Sequence, residues 1–550
     1  VSARASLVVE GRIATLAGAD GFGWVETIAI ADGRVIAAGD RDEVEPLVGP
    51  GTRRLILGPS EAVIPGLTDA HLHLAGAAAS ADEVDLEGEP STDAGLRRIG
   101  AAHRALESDR WLLGHGWESD RWGGWPTADD LERVAPGRRA ALWAHDHHSL
   151  WASHAALAEA GIGPGTPDPE GGAIRRDASG RPTGLLHETA ARLVAGRLPA
   201  PTADQLAERI PGLARAVVAL GVVAVHDPGG LVPDRGLSAA FAAYGRLADV
   251  GRLPLRVHAS LRQEAVGAAA DHGLRSGDPL GADPSGRARV GWQKLFADGS
   301  LGSRTAAMLE PFAVEPDRTL EPGRERGIFV TEPAALGLLT AGAAGVGIVS
   351  QIHAIGDAAV RAALDALAPH RGAGRLQPRI EHVQLVDPVD LSRFARLGVA
   401  ASVQPVHLRS DAAQARRLWG ERAERSGYPW RSLSETGTPI PFGTDSPVEP
   451  IDPWPGLAIA VTRADGSWPA GTPAFGRGEA LSLSRAIRAA CLDGPVSAGE
   501  DDRGRLVPGH RADLVILPAE ALREPIEVGG PLAMTRPHRV LMDGQVVFEG

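Results

Sequence analysis

Between residues 220 and 450 the sequence keeps returning to one phrase, a short apolar run rich in β-branched residues followed by a longer stretch of helical periodicity. Strand signals fall at 222–226, 255–260, 290–296, 347–353, 379–383, 400–404 and 439–442, and an earlier one covers 62–74. Parallel strands cannot be joined by tight turns, and a helix between each pair supplies the crossover they need. Eight such units close a ring. The pattern therefore predicts an α/β fold, a (β/α)8 TIM-like barrel over residues 62–498.

A barrel of this kind gathers the residues at the C-terminal ends of its strands into one mouth. Here those residues are His71 and His73 in PGLTDAHLH, Lys294 in KLFADGSLGSRTA, His353 in HAIGD, His382 in IEH and Asp445 in FGTDSPV. Two histidines two apart on a strand point the same way and can hold one divalent ion, with Asp69 two residues earlier as a supporting partner. As filler this set would be costly, because each buried polar group must find a partner. As a dinuclear metal site it is well composed.

Lys294 is the sole lysine among 56 cationic residues, the other 55 being arginine. A guanidinium stays charged, whereas a desolvated amine can lose its proton and serve as base, Schiff-base former or carbamate. The plain alternative is a survivor of codon bias on a solvated surface.

Outside the barrel the grammar changes. Residues 1–61 and 499–550 carry short alternating runs broken by glycine and Asp-Gly turns, and neither end alone has strands enough to bury a face. Together they predict one composite β-sandwich. After the first barrel strand, 76–220 exceeds what a single βα unit needs, so most of it reads as an insertion ahead of a helix over 204–220. It holds six of the twelve tryptophans, Trp111, Trp117, Trp122, Trp125, Trp143 and Trp151, and seven of the eighteen histidines. Such a concentration suits either a lid walling a cavity or the insertion's own core.

A formal net charge of −13 argues against nucleic acid as a partner, which would require a basic face. No apolar run approaches the roughly 18 residues of a membrane span, and the lone Cys491 leaves no intramolecular disulfide. The first residues show strand-like alternation and no basic-then-apolar leader pattern. These features predict a soluble cytoplasmic protein acting on a small molecule, with homo-oligomer formation left open.

The motifs quoted above, with SVQP and with DHHSLWAS and TGLLHETA in the insertion, make the chain resemble the amidohydrolase superfamily, specifically the third amidohydrolase family that includes N-substituted formamide deformylases. The resemblance implies that His71, His73 and Asp445 hold one metal and His353 and His382 the other, with Lys294 bridging them as a carbamate derived from carbon dioxide. It implies two divalent ions, for which the imidazole-rich set favours zinc. The implied reaction is cleavage of an amide, formamide or cyclic amide C–N bond by a metal-bridging hydroxide, with Asp445 moving the proton. An isomerase, a hydrolase of another bond and a non-catalytic binding protein are the alternatives on the same scaffold. Trp117, Asp146, His148, His226 and His407 are further candidates for substrate contact, with packing as the competing explanation for His226 and His407.

Overall fold

The computed structural model describes residues 4–18, 21–230, 237–283, 285–313, 325–370, 372 and 374–550. At its centre seven parallel strands lie side by side in chain order: Leu67–Asp69, Val222–Asp227, Arg256–Arg262, Ala288–Phe296, Ser350–Ala354, Arg379–His382 and Ala400–Ser402. Their apolar side chains, among them Val225, Val257, Val290, Ile352 and Ile380, are buried in one core with the covering helices. Each such side chain contributes about 1.5–3 kcal/mol on leaving water. One of those helices, Ala203–Ala219, begins in a capping box where Thr202 and Gln205 satisfy each other's backbone N–H groups.

The expected strand at 439–442 departs from the pattern. It forms a single parallel bridge, Val403 to Phe442, instead of a ladder. Pro439 and Pro441 have no N–H to contribute, and the intervening Ile440 N–H donates to Asp493 Oδ2 at 2.8 Å. Their carbonyls accept from Ala401 and Val403 at 3.0 Å, while Phe442 O accepts from Ala70 N at 2.8 Å. The segment thus touches both the last strand and the end of the first, and the parallel sheet is curled.

The first expected strand, 62–74, is divided between two sheets. Glu61–Pro65 pairs antiparallel with Leu514–Pro518, and only Leu67–Asp69 joins the parallel sheet. Between them Gly66 passes so close to Val223 that a Cβ would lie 2.5 Å from its Cγ2. The chain ends share one hydrogen-bonded sheet of eight strands. The reason lies in Leu7–Ala14, which pairs with Arg53–Ile56 along residues 7–10 and with Glu61–Pro65 along 12–13, with an irregular register around Gly11. Gly11 has φ 144°, and any Cβ there would meet Leu57. This bend lets one sheet wrap its own core of Val9, Ile28, Val35, Leu514, Ile516 and Leu541.

Most of the expected insertion folds around a separate six-stranded sheet, ordered Gly172–Arg176, Pro182–Glu188, Ser149–Ala152, Ala140–Ala144, Leu112–Trp117 and Val84–Asp85. Its two outermost stretches do not belong there. The helices Leu74–Ser80 and Ala203–Ala219 pack on each other and share the core of the parallel sheet. No helix among the described residues is long and apolar enough to cross a membrane.

Candidate metal centre

The register of the parallel strands sets Lys294 beside Gln351, Phe296 beside His353 and Ala354 beside His382, so their ends share one level. His71 and His73 follow the first strand, and Asp445 arrives from 439–445 with its N–H donating to His71 O at 2.7 Å. All six line one pocket, joined there by His145, Asp146, His148 and His407. His382 (φ 72°) and Asp445 (φ 61°) hold left-handed backbone that is costly for residues with side chains and is stored at functional sites.

The ring nitrogens are sorted before any ligand arrives. His71 Nδ1 donates to Glu381 Oε2 at 2.5 Å, His73 Nδ1 to Gly229 O at 2.7 Å and His353 Nε2 to Gly299 O at 3.0 Å. In each ring the other nitrogen is left for the pocket. Asp445 Oδ1 lies 3.5 Å from His71 Nε2 and 3.4 Å from His73 Nε2, and its Oδ2 lies 3.9 Å from His382 Nδ1. Asp445 Oδ1 and His382 Nδ1 are buried without a hydrogen-bond partner among the described residues. Ligand atoms of His71, His382 and Asp445 fall within 4.8 Å of one another. Stranded acceptors beside rings anchored on carboxylate and carbonyl oxygens are what a divalent cation needs, so these residues fit a metal.

Lys294 is buried, with Nζ 3.4 Å from His71 Nε2. Burial pushes its ammonium down to about 8, against the pull of Glu381 and Asp445. Burial likewise takes His71 down to about 4 and His353 and His382 well below the usual imidazole range, which keeps these rings neutral and able to bind a cation. His407 goes the other way. Burial opposes its charge, but hydrogen bonds to Asp445 and Glu449 prevail and raise it to about 10. It donates from Nε2 to Asp445 Oδ2 at 3.1 Å.

The remaining candidates separate. Asp146 accepts from Ser300 and Ser303 at 2.7 Å each, and His148 donates from Nδ1 to Glu188 at 2.8 Å, so both are held at the pocket wall. His226 is elsewhere, buried against Trp292 and His258 and accepting at Nδ1 from Arg379. Trp117 is 1% exposed, donates to Leu142 O and meets Trp122, Trp125 and Trp151 inside the insertion. It borders an adjoining cavity, not the metal pocket. Asp69 supports the site differently from expectation. It accepts the backbone N–H groups of His71 and Thr444 and the Thr444 hydroxyl, tying the two ligand loops together without touching an imidazole.

Several contributors escape a reading of the sequence. Glu381 precedes His382 in the IEH motif, and Arg379, two residues earlier on the same face, grips both its oxygens and also reaches Ala70 O and Ser402. Alternation along that strand was the available signal. Asp298 accepts from Ala307, Ile355 and Gly356 and so shapes the loop after Lys294. Glu449 carries no local signature, and Glu188 lies within TGLLHETA without that motif showing what it contacts.

Comparison with known proteins gives the family. The amidohydrolase family model matches residues 61–548. The protein YtcJ of Bacillus subtilis (strain 168) is 30% identical over 532 residues, covering 95% of this chain and 96% of that one. An N-substituted formamide deformylase of Arthrobacter pascens is 27% identical over 547 residues, covering 95% of each. An uncharacterized metal-dependent hydrolase of Pyrococcus horikoshii OT3 superposes with a TM-score of 0.71 at 27% identity, covering 95% of this chain and 98% of that one. With a family match over most of its length, the chain belongs to the amidohydrolase family.

Proposed function

We propose that the protein hydrolyses the C–N bond of an amide, an N-substituted formamide or a cyclic amide, using two divalent metal ions, with zinc favoured by the imidazole-rich ligands. The curled parallel sheet, completed by 439–443, is taken as a (β/α)8 barrel over 62–498, with an insertion lying within 76–220 and a composite terminal β domain from 1–61 and 499–550. His71, His73 and Asp445 would hold one ion and His353 and His382 the other, with Lys294 as a carbamate between them. When bound, the ions supply Lewis acidity for the substrate carbonyl and make a water more acidic.

The observation that carries this reading is the stranded pair Asp445 Oδ1 and His382 Nδ1 among rings already anchored at their far nitrogens. Asp445 takes the proton of the attacking water and delivers it to the departing nitrogen, while His407 orients its carboxylate through Oδ2. His148, held by Glu188, faces the pocket as a donor for the carbonyl oxygen. As the C–N bond breaks, the water's hydroxyl goes to the carbonyl carbon and its proton to nitrogen, and the acid then gives up its remaining proton, so that an amide yields a carboxylate and a protonated amine. The test is metal analysis of the purified protein together with assays on N-substituted formamides, acyl amides and cyclic ureas. A fully metallated, folded protein inert to all three classes would overturn the proposal.

A further inference from the structure

Beside the metal pocket lies a second cavity of about 150 Å³, close to the volume that accommodates a benzene-sized group. The two adjoin, since His145, Asp146, Gly302, Ser410 and Asp411 line both. On one side stand the insertion's Trp117 and Trp125, and on the other the helix His407–Trp419 with Asp411, Ala413 and Gln414.

Asp411 is set there in an unusual way. Its Oδ2 accepts from Tyr428 Oη at 2.8 Å and from Gln384 Nε2 at 3.0 Å, and both donors are neutral. The residue stands where the two pockets meet, since Asp411 lines each of them. The cations nearby face other carboxylates. His407 faces Asp445, His145 faces Glu449 at 3.3 Å, and Arg417 faces Asp120 at 2.6 Å. Two neutral donors orient the Asp411 carboxyl, and burial raises its pKa against the pull of His407 and His145, so a cation brought directly to it would favour the charged form. It also stands four residues after His407, hence on the same helix face about 5–6 Å along, while His407 touches the residue that protonates the departing nitrogen.

We propose that Asp411 receives a positively charged group carried on the amine half of the substrate, so that this enzyme acts on amides of diamines or of other amines bearing a second cation. This rests on the C–N hydrolase reading and narrows it. The short spacing between His407 and Asp411 calls for a short alkyl chain between the scissile nitrogen and the distal ammonium, and the indole walls accept that chain's apolar surface.

The experiment compares N-(4-aminobutyl)formamide with N-pentylformamide, which differ by an ammonium in place of a terminal methyl. A charge-assisted contact of this kind predicts kcat/KM at least tenfold higher for the ammonium compound, with the ratio collapsing toward one in Asp411→Asn. A ratio near one in the native protein, or one preserved in Asp411→Asn, overturns the assignment. Calorimetric binding of 1,4-diaminobutane and pentylamine to the metal-loaded native protein gives a readout that needs no turnover. At least tenfold tighter binding of the diamine is expected, and equal binding rejects the role of Asp411. If neither formamide is cleaved, the hydrolase reading is decided by the acyl amides and cyclic ureas, and the calorimetric comparison still decides the question of Asp411.

Discussion

His71 donates its Nδ1 proton to Glu381 across 2.5 Å, and neither side chain is reached by solvent. Arg379 grips Glu381 from behind, so a chain of three buried side chains ends in one imidazole nitrogen aimed at the pocket. Glu381→Gln should lower metal affinity ten- to a hundredfold, the usual effect of loosening a ligand's support. Chelator competition measures this directly, and unchanged affinity would move the orientation of His71 to other contacts.

Lys294 offers a clean chemical readout because no other lysine exists to confuse it. Amine-directed reagents followed by mass spectrometry should leave Lys294 unmodified in the metallated protein and acylate it after chelation. Lys294→Arg should lose metal and activity together, since a guanidinium cannot form a carbamate. Full activity in that variant would end the bridging role.

Asp445→Asn keeps an oxygen in the pocket but cannot carry a proton. We expect kcat to fall by about two to four orders of magnitude with the fold intact, read by steady-state kinetics beside metal content. Native turnover in a metallated Asp445→Asn protein would assign the proton to another group.

Trp117 packs among three other indoles within the insertion. Truncation to alanine should cost about 3–5 kcal/mol of the insertion's stability, visible as a lower unfolding transition and faster proteolysis within 84–188. A variant as stable as the parent would mean that the cluster tolerates the void, leaving the chamber wall as the main use of this side chain.

Asp513 joins the terminal sheet to the parallel one. Its carboxylate accepts from the buried Arg256 at 2.8 Å, and Arg256 also reaches Asp543 at 2.7 Å. Asp513→Ala strands much of that charge, so thermal unfolding should reveal a loss of about 3–5 kcal/mol. Asp513→Asn, which can still accept, should lose less. Equal effects in the two variants would argue that backbone packing dominates there.

The gathering of His71, His73, Lys294, His353, His382 and Asp445 in one pocket is legible in the sequence because strand ends are legible and a parallel sheet aligns them. What supports them is not. Glu381 and Glu449 contact histidines more than thirty residues away or on other elements, and no local pattern encodes such a meeting. The two prolines at 439 and 441 could have warned against a regular eighth strand, since each removes a ladder donor. The division at Gly66 is harder to foresee, because an apolar run reads the same whether it serves one sheet or two. Trp117 shows the same ambiguity in its plainest form, for composition locates tryptophans in an insertion without saying which way they face.

The passage of one uninterrupted segment from Glu61–Pro65 into Leu67–Asp69 bears on how the chain is born. Glu61–Pro65 finds its antiparallel partner only in Leu514–Pro518, at the far end of the chain. On the ribosome, the stem that carries His71 and His73 therefore waits with one edge unpaired until Leu514–Pro518 has been made. Contacts of such long sequence separation form slowly. A nascent chain stopped short of Leu514 would hold all six pocket residues and yet lack the strand that braces the first two of them.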